Sequence, residues 1–102
     1  MSRWPSDRRD WHVGPRAGLR PLFELAEDAQ SQLDHHLGLG RVLVASRGSV
    51  TLGHLQLVPT KQSGEIGLKN MAVVPAQRGT GVARALITAA IHRCGAEGWS
   101  RM

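Results

Sequence analysis

The sequence predicts an α/β (α+β) fold in which a mainly antiparallel sheet packs with two amphipathic helices. In two stretches apolar residues recur at three- and four-residue steps, which is the period of a helix. Between them lie three strand-like runs that end at glycine or proline. The length of 102 residues fits one domain, since a domain usually takes about 100 to 200 residues. A hydrophobic content of 41% is enough for a small core.

Composition excludes several classes of protein. The single cysteine, Cys94, can form neither an internal disulfide nor a zinc site, which favours a reducing compartment. The longest apolar stretches are far shorter than the roughly 20 residues that a bilayer requires, and the N-terminus lacks the apolar core of a signal peptide. We therefore expect a cytoplasmic protein without membrane association. The net charge of +5 is compatible with nucleic acid, a membrane surface or a small anionic cofactor as partner.

The N-terminal residues mix charges with proline and show no apolar periodicity. We expect a flexible arm at residues 1–10 and the folded domain at residues 11–102. A short first strand is predicted at Trp11–Val13, because Gly14 and Pro15 would halt it.

The first helix is predicted from Leu19 to a stop at Gly38 and Gly40. Its predicted apolar stripe consists of Leu22, Leu25, Ala26, Ala29, Leu33 and Leu37. His35 and His36 lie in its last turns. Adjacent side chains on a helix point in different directions, so a metal shared by these two histidines is not expected.

Three strands are predicted between the two helices. Residues 41–46 and 50–58 form a β-hairpin around Arg47 and Gly48. Alternation slips at Gly53, which predicts a bulge there. A third strand at residues 65–74 ends at Pro75, and three strands in series predict an antiparallel meander.

A loop of arginine and glycine precedes the second helix. The predicted apolar face of this helix comprises Ala83, Leu86, Ile87, Ala90, Ile91 and Cys94. Gly95 and Gly98 are expected to end it. Because Cys94 falls on the apolar stripe and no basic residue is placed to activate it, packing is favoured over a nucleophilic role.

The loop Arg78-Gly79-Thr80-Gly81 has the chemistry of a phosphate cradle. Glycine lets the backbone approach a ligand closely, and a helix begins with unpaired N–H groups and the positive end of its dipole. Arg78 can pair with phosphate oxygens. The alternative is a tight turn whose glycines only relieve strain. The loop has neither the lysine of a Walker motif nor, at Arg84, the third glycine of a dinucleotide fingerprint.

The stretch from Asn70 to Ala83 resembles the acetyl-CoA site of the GNAT family of N-acetyltransferases. In that family a strand ending in apolar-x-Val leads through a short turn to R/Q-x-x-G-x-G/A at the start of a helix. The motif is matched here at Arg78, Gly81 and Ala83. The resemblance covers roughly residues 11–102. It implies a GNAT-like fold and acetyl transfer from acetyl-CoA to a small-molecule or peptide amine.

The resemblance also implies which residues bind coenzyme A. Backbone groups of Ala72 and Val73, with Met71 beside them, would pair with the pantetheine arm. N–H groups of the loop and first helical turn would hold the pyrophosphate, and these belong to Arg78, Gly79, Thr80, Gly81, Val82 and Ala83.

Two candidate catalytic residues follow from the resemblance and the residue types. A frequent base of the family is a glutamate six residues before the final valine of the motif; counted back from Val73, that position is occupied here by Gly67. Glu65 lies two residues earlier, and His54 could relay protons. The alternatives are a solvated carboxylate at Glu65 and a structural histidine at His54.

The family fold continues with a fifth strand, a further helix and a final hairpin. Residues 99–102 are expected to open that fifth strand, so the resemblance implies a truncated domain that carries the cofactor-binding portion. Such a chain would be inactive alone or completed by strand exchange in a homodimer through the open sheet edge. The tyrosine that commonly protonates the leaving thiolate in the family has no counterpart, as the chain contains no tyrosine.

The alternative hypothesis is a small basic module that binds nucleic acid or protein without catalysis. It depends on Arg84, Arg93 and Arg101. The aromatic content of 4% argues against it, because bases need stacking platforms. We therefore do not expect nucleic acid as a partner.

Overall fold

The computed structural model describes residues 7–26, 33 and 35–100, and a four-stranded antiparallel sheet in the order β1-β2-β3-β4 forms its centre. The strands are β1 (Asp7–Trp11), β2 (Arg41–Arg47), β3 (Val50–Pro59) and β4 (Ile66–Val73). Helix α1 (Arg20–Ala26) follows a 3-10 turn at Ala17–Leu19, and helix α2 (Val82–Ala96) follows a 3-10 turn at Pro75–Gln77. The fold is therefore α+β, as predicted.

The predicted hairpin and meander are confirmed. Each boundary of β2, β3 and β4 lies within one residue of its predicted position. The predicted bulge is also confirmed, because Ala45 pairs with Gly53 and Ser46 with Thr51, which leaves Leu52 as the extra residue. Gly53 is required by close approach, since a Cβ there would lie 2.8 Å from the carbonyl oxygen of Ala72 on β4.

The first strand lies earlier than predicted. The expected strand at Trp11–Val13 is wrong except at Trp11, and residues 7–10 of the expected arm belong to β1. This edge strand forms because its backbone pairs with β2. Its sequence therefore shows no apolar periodicity from which a strand could be predicted. The Arg93 guanidinium of α2 also donates to the carbonyl oxygen of Arg9 at 2.7 Å. Residues 1–6 lie outside the described residues, and the division into arm and domain stays a prediction.

The two faces of the sheet carry separate apolar clusters. Leu43 and Leu55 face α2 and pack with Leu86 and Ala90 of that helix. Alternation along β2 turns Val42 to the other face, where it packs with a cluster that contains Phe23 of α1. The sheet is thus covered by helices on both sides.

The first helix is confirmed in part. Helix α1 buries Leu22 and Phe23, but Leu25 is 47% exposed and does not belong to the buried stripe. The predicted position Ala29 lies outside the described residues. The backbone is helical at Leu33, His35 and His36 and turns from Leu37 onward, so the predicted stop at Gly38 and Gly40 is confirmed.

The second helix is confirmed with two corrections. Leu86, Ala90 and Cys94 are buried as predicted, whereas Ile91 is 56% exposed because the stripe facing the sheet is narrower than the sequence suggests. The helix passes through Gly95 to Ala96, and Gly98 adopts φ +93° just beyond it. The Cys94 thiol is buried, and burial raises its pKa, which supports the packing role.

The segment after α2 is not a strand where the structure describes it. Trp99 packs against the α2 cluster, and the Ser100 N–H donates to the carbonyl oxygen of Gly64 at 2.9 Å. Residues 101 and 102 of the predicted strand lie outside the described residues. Among the helices that the structure describes, none is long and apolar enough to cross a membrane.

The packing predicts unequal effects for two apolar positions of α2. Leu86→Ala should lower the free energy of unfolding by about 2 to 5 kcal/mol, because Leu86 is fully buried. Ile91→Ala should change it by less than about 0.5 kcal/mol, because that side chain faces water. Urea unfolding followed by circular dichroism measures both. Equal effects at the two positions would contradict the assigned helix face.

Candidate functional site

The β4–α2 loop, residues 74–81, forms the wall of a concave site of about 480 Å³. Most of its lining comes from the loop and the first turn of α2, with one residue from the end of β4. The lining residues are Val73, Gln77, Arg78, Gly79, Gly81, Val82, Ala83 and Arg84. Six of the nine predicted cofactor-binding positions thus contribute to one cavity, and Thr80 lies in the same loop.

Two glycines give the β4–α2 loop its shape. Gly79 has φ +79° and Gly81 has φ +91°, a region of backbone conformation that residues with a Cβ rarely adopt. A Cβ at either position would meet no other atom within 4 Å. Backbone conformation, and not space, therefore requires glycine here. The space that a Cβ would occupy at either position is open.

Helix α2 begins without a side-chain cap. Gly81 is its N-cap residue, and no acidic residue lies in its first turn. The N–H groups of Val82, Ala83 and Arg84 start the helix and have no partner within it, as in any first turn. No acidic side chain of the first turn, which the structure describes in full, offsets the positive end of this helix dipole.

Hydrogen bonds inside the loop use some of its donors. The Thr80 hydroxyl donates to the carbonyl oxygen of Gln77 at 2.5 Å. The N–H groups of Arg78 and Thr80 donate to Pro75 and Gln77 carbonyls, each at 3.3 Å. Of the six predicted pyrophosphate donors, the N–H groups of Arg78 and Thr80 are therefore occupied in the loop. The exposed Arg78 side chain supplies charge instead.

The backbone of β4 presents alternate residues to its outer edge. The Val74 N–H donates to the carbonyl oxygen of Leu52 at 2.9 Å. In an antiparallel ladder this direction alternates, so the backbone groups of Ala72 also face β3. Those of Met71 and Val73 face the outer edge. Of the three predicted pantetheine-binding positions, the register thus favours Met71 and Val73 over Ala72.

The two predicted catalytic residues lie apart from the loop. Glu65 precedes β4, roughly 26 Å from Val73 at about 3.3 Å per residue of strand. It accepts a hydrogen bond from the Thr60 hydroxyl at 2.6 Å. His54 is fully buried in the middle of β3. The structure therefore brings neither residue to the cavity at the β4–α2 loop, and their catalytic roles stay predictions.

His54 has an unusual environment for a titratable group. Its ring stacks on Phe23 with centroids 4.3 Å apart, and its Nε2–H donates to Oδ1 of Asn70 at 2.7 Å. Burial lowers the pKa of His54 from 6.5 to about 4, although the hydrogen bond to Asn70 acts in the opposite direction. The imidazole is neutral at pH 7.

A second, larger groove of about 1060 Å³ lies between β1 and α2. Arg9, Arg84 and Arg93 contribute its cations, and Trp11 contributes an aromatic side. The Arg41 guanidinium lies 3.8 Å from the centroid of the Trp11 ring. The sequence analysis singled out Arg84 and Arg93 only for the basic-module hypothesis. It did not predict the groove, because Arg9 belongs to the segment expected to be an arm.

The described residues contain no cluster of side chains that could bind a metal ion. Across residues 7–26, 33 and 35–100, no group of three or more His, Cys, Asp or Glu side chains could hold a metal ion. The rings of His35 and His36 are tilted by 60° with centroids 5.4 Å apart.

The family model for the acetyltransferase (GNAT) family matches residues 6–102. No curated protein sequence matches the chain.

Solved structures of acetyltransferases share the fold. An IAA acetyltransferase from Bacillus cereus is 23% identical with a TM-score of 0.77, over 91% of this chain and 62% of that protein. A Bacillus subtilis acetyltransferase in complex with CoA is 22% identical with a TM-score of 0.77, over 90% and 61%. A GNAT family acetyltransferase from Elizabethkingia anophelis with acetyl-CoA bound is 20% identical with a TM-score of 0.75, over 89% and 59%. The chain spans about three fifths of the length of these proteins.

The buried imidazole predicts a pH dependence of stability. Between pH 6.5 and about 4 the unfolded chain binds a proton at His54 that the folded chain does not. The free energy of unfolding should therefore fall as the pH is lowered through this window, by up to about 1.4 kcal/mol per pH unit from this residue. Urea unfolding of wild type and His54→Gln at several pH values isolates the contribution. A difference between the two proteins that does not change with pH would disprove the assignment.

Proposed function

This chain belongs to the acetyltransferase (GNAT) family, and we propose that it binds coenzyme A at the β4–α2 loop and transfers an acetyl group from acetyl-CoA to an amine. The observation that carries the proposal is the uncapped start of α2 beside Gly79, Gly81 and two exposed arginines. Membership of the family indicates coenzyme A as the ligand. The positively charged helix start and its two arginines explain how this chain would bind it.

The loop suits the pyrophosphate of coenzyme A. Backbone N–H groups at a helix start point toward a bound anion, and the helix dipole favours negative charge there. Arg78 and Arg84 flank the cavity and add charge-assisted hydrogen bonds. Because Gly79 and Gly81 lack side chains, phosphate oxygens can approach the backbone directly. These contributions act on the same group and favour a multiply charged anion over a neutral ligand.

The outer edge of β4 suits the pantetheine arm. This arm contains amide groups that can pair with backbone, and Met71 and Val73 have outward-facing N–H and C=O groups. An arm that starts at the loop would meet Val73 first and Met71 next, in the direction of Glu65. Backbone pairing of this kind is the ordinary way in which an extended segment adds to a sheet edge.

The reaction needs a donor, a proton acceptor and a stabilised oxyanion. Bound acetyl-CoA supplies an activated thioester carbonyl. The outward N–H groups of β4 can donate to an oxyanion at this edge. Glu65 is a partly buried carboxylate just before β4, but it lies about 20 Å along the strand from Met71. That separation is beyond hydrogen-bond reach of an amine at Met71, so we propose water as the proton acceptor and do not assign the role to Glu65. His54 is not assigned this role, because its buried ring is shielded from an incoming amine.

The proposal predicts a selective effect of Arg78. Arg78→Ala should raise the Kd for coenzyme A about 10-fold, because one charge-assisted contact with phosphate is lost. Lys61→Ala is the matched control, since Lys61 is exposed in the loop before β4, away from the cavity. It should leave the Kd within about twofold. Isothermal titration calorimetry measures all three proteins.

Two outcomes would refute the proposed cofactor site. One is wild-type protein that gives no saturable binding of coenzyme A. The other is an Arg78→Ala variant with wild-type affinity. Acetyl transfer is followed on the same proteins by the release of free thiol from acetyl-CoA in the presence of primary amines. Saturable binding without thiol release on any amine would restrict the function to cofactor binding.

A further inference from the structure

Three polar side chains are buried on the α1 face of the sheet, and the proposed function uses none of them. His54 and Gln56 on β3 are fully buried, and Asn70 on β4 is 9% exposed. Burying polar groups costs free energy unless they are hydrogen-bonded. Their partners therefore indicate what each group holds in place.

Gln56 and His54 hold different parts of the molecule. The Gln56 side-chain amide donates to the carbonyl oxygens of His36 and Leu39, at 2.7 and 2.9 Å, so it ties the turn before β2 to the sheet. His54 donates across the sheet to Asn70 at 2.7 Å and therefore ties β3 to β4.

The His54–Asn70 pair crosses the sheet diagonally. In the β3–β4 ladder, His54 is paired with Ala72, and Asn70 is paired with Gln56. Diagonal neighbours on one face are within reach of long side chains. Phe23 covers the histidine ring by stacking at an interplanar angle of 10°. The imidazole is thus held from above by α1 and from the side by β4.

The hydrogen bond lies next to an irregularity of β4. Leu57 pairs with Leu68 and Gln56 with Asn70, which leaves Lys69 as an extra residue. A bulge disrupts the ladder locally and bends its strand. Asn70 is the first residue after this bulge and directly precedes Met71. Its side chain therefore adds a fixed point where the backbone ladder has just been interrupted.

We propose that His54 and Asn70 are positioning residues for coenzyme A, which fix the end of β4 so that the outward backbone groups of Met71 and Val73 meet the pantetheine arm. This inference rests on the proposed function. It gives His54 a role other than the proton transfer predicted from its residue type. Neither side chain touches the ligand, and both act through the backbone of β4.

Protonation does not interrupt this contact near neutral pH. Burial lowers the pKa of His54 to about 4, so the ring stays neutral and its Nε2–H remains the donor. A neutral asparagine is the complementary acceptor, because it adds no buried charge.

The test separates the two ends of the cofactor. Coenzyme A carries a pyrophosphate and the pantetheine arm, whereas 3′-phosphoadenosine 5′-diphosphate keeps the pyrophosphate and lacks the arm. Asn70→Ala should raise the Kd for coenzyme A about 10-fold and change that for the arm-free nucleotide by less than twofold. Arg78→Ala should weaken both ligands. Calorimetry on the full chain measures the two affinities of each protein.

Controls separate positioning from general loss of structure. Gln56→Ala removes another buried amide on the same face that does not tie β4, and it should not change the ratio of the two affinities. His54→Phe keeps a ring against Phe23 but removes the donor, and it should reproduce the ratio of Asn70→Ala. If Asn70→Ala unfolds, His54→Phe provides the measurement.

The results also distinguish the two proposals. Wild-type protein that fails to bind coenzyme A contradicts the proposed function. If the wild-type protein binds coenzyme A but Asn70→Ala lowers the affinity for both ligands equally, or for neither, only the positioning role is overturned. A shift in the ratio with Gln56→Ala as large as that with Asn70→Ala overturns it as well.

Discussion

Backbone pairing between β3 and β4 determines where every group of the candidate site lies. The ladder delivers the end of β4 to the loop that starts α2, and it decides which backbone groups of β4 face outward. Gly53 permits this pairing, because any side chain there would collide with the carbonyl oxygen of Ala72. The packing of Leu55 and Leu86 then holds α2 against the same strands. The direction of the helix dipole at the loop follows from that contact.

The glycine loop and the start of α2 could be predicted from the sequence, because both depend on local chemistry. Gly79 and Gly81 take backbone conformations that glycine favours, and a helix start always leaves unpaired N–H groups. The glycine-rich turn at the start of α2 was predicted for these reasons, which do not depend on the rest of the chain; its phosphate-binding role stays a prediction. Arg78 was identified in the same way, as a charge beside that loop.

Features set by distant residues were missed or misplaced. The charged strand β1 obtains its order from β2 and from Arg93, which are remote in sequence. The exposure of Ile91 depends on how α2 lies on the sheet. The bulge at Lys69 decides which of the residues after it face the outer edge, and no local pattern revealed it. Residue type suggested proton transfer for His54, whereas its surroundings show a buried neutral ring.

Amide chemical shifts on titration with coenzyme A report binding at the loop and along β4 residue by residue. The largest changes in a ¹⁵N–¹H correlation spectrum should fall on Gly79, Gly81 and Val82 at the loop and on Met71 and Val73 at the outer edge of β4. Ala72, whose N–H faces β3, should shift less than its two neighbours. Changes confined to Arg9, Trp11 and Arg93 in the groove between β1 and α2, or no saturable changes at all, would be incompatible with coenzyme A bound at the loop.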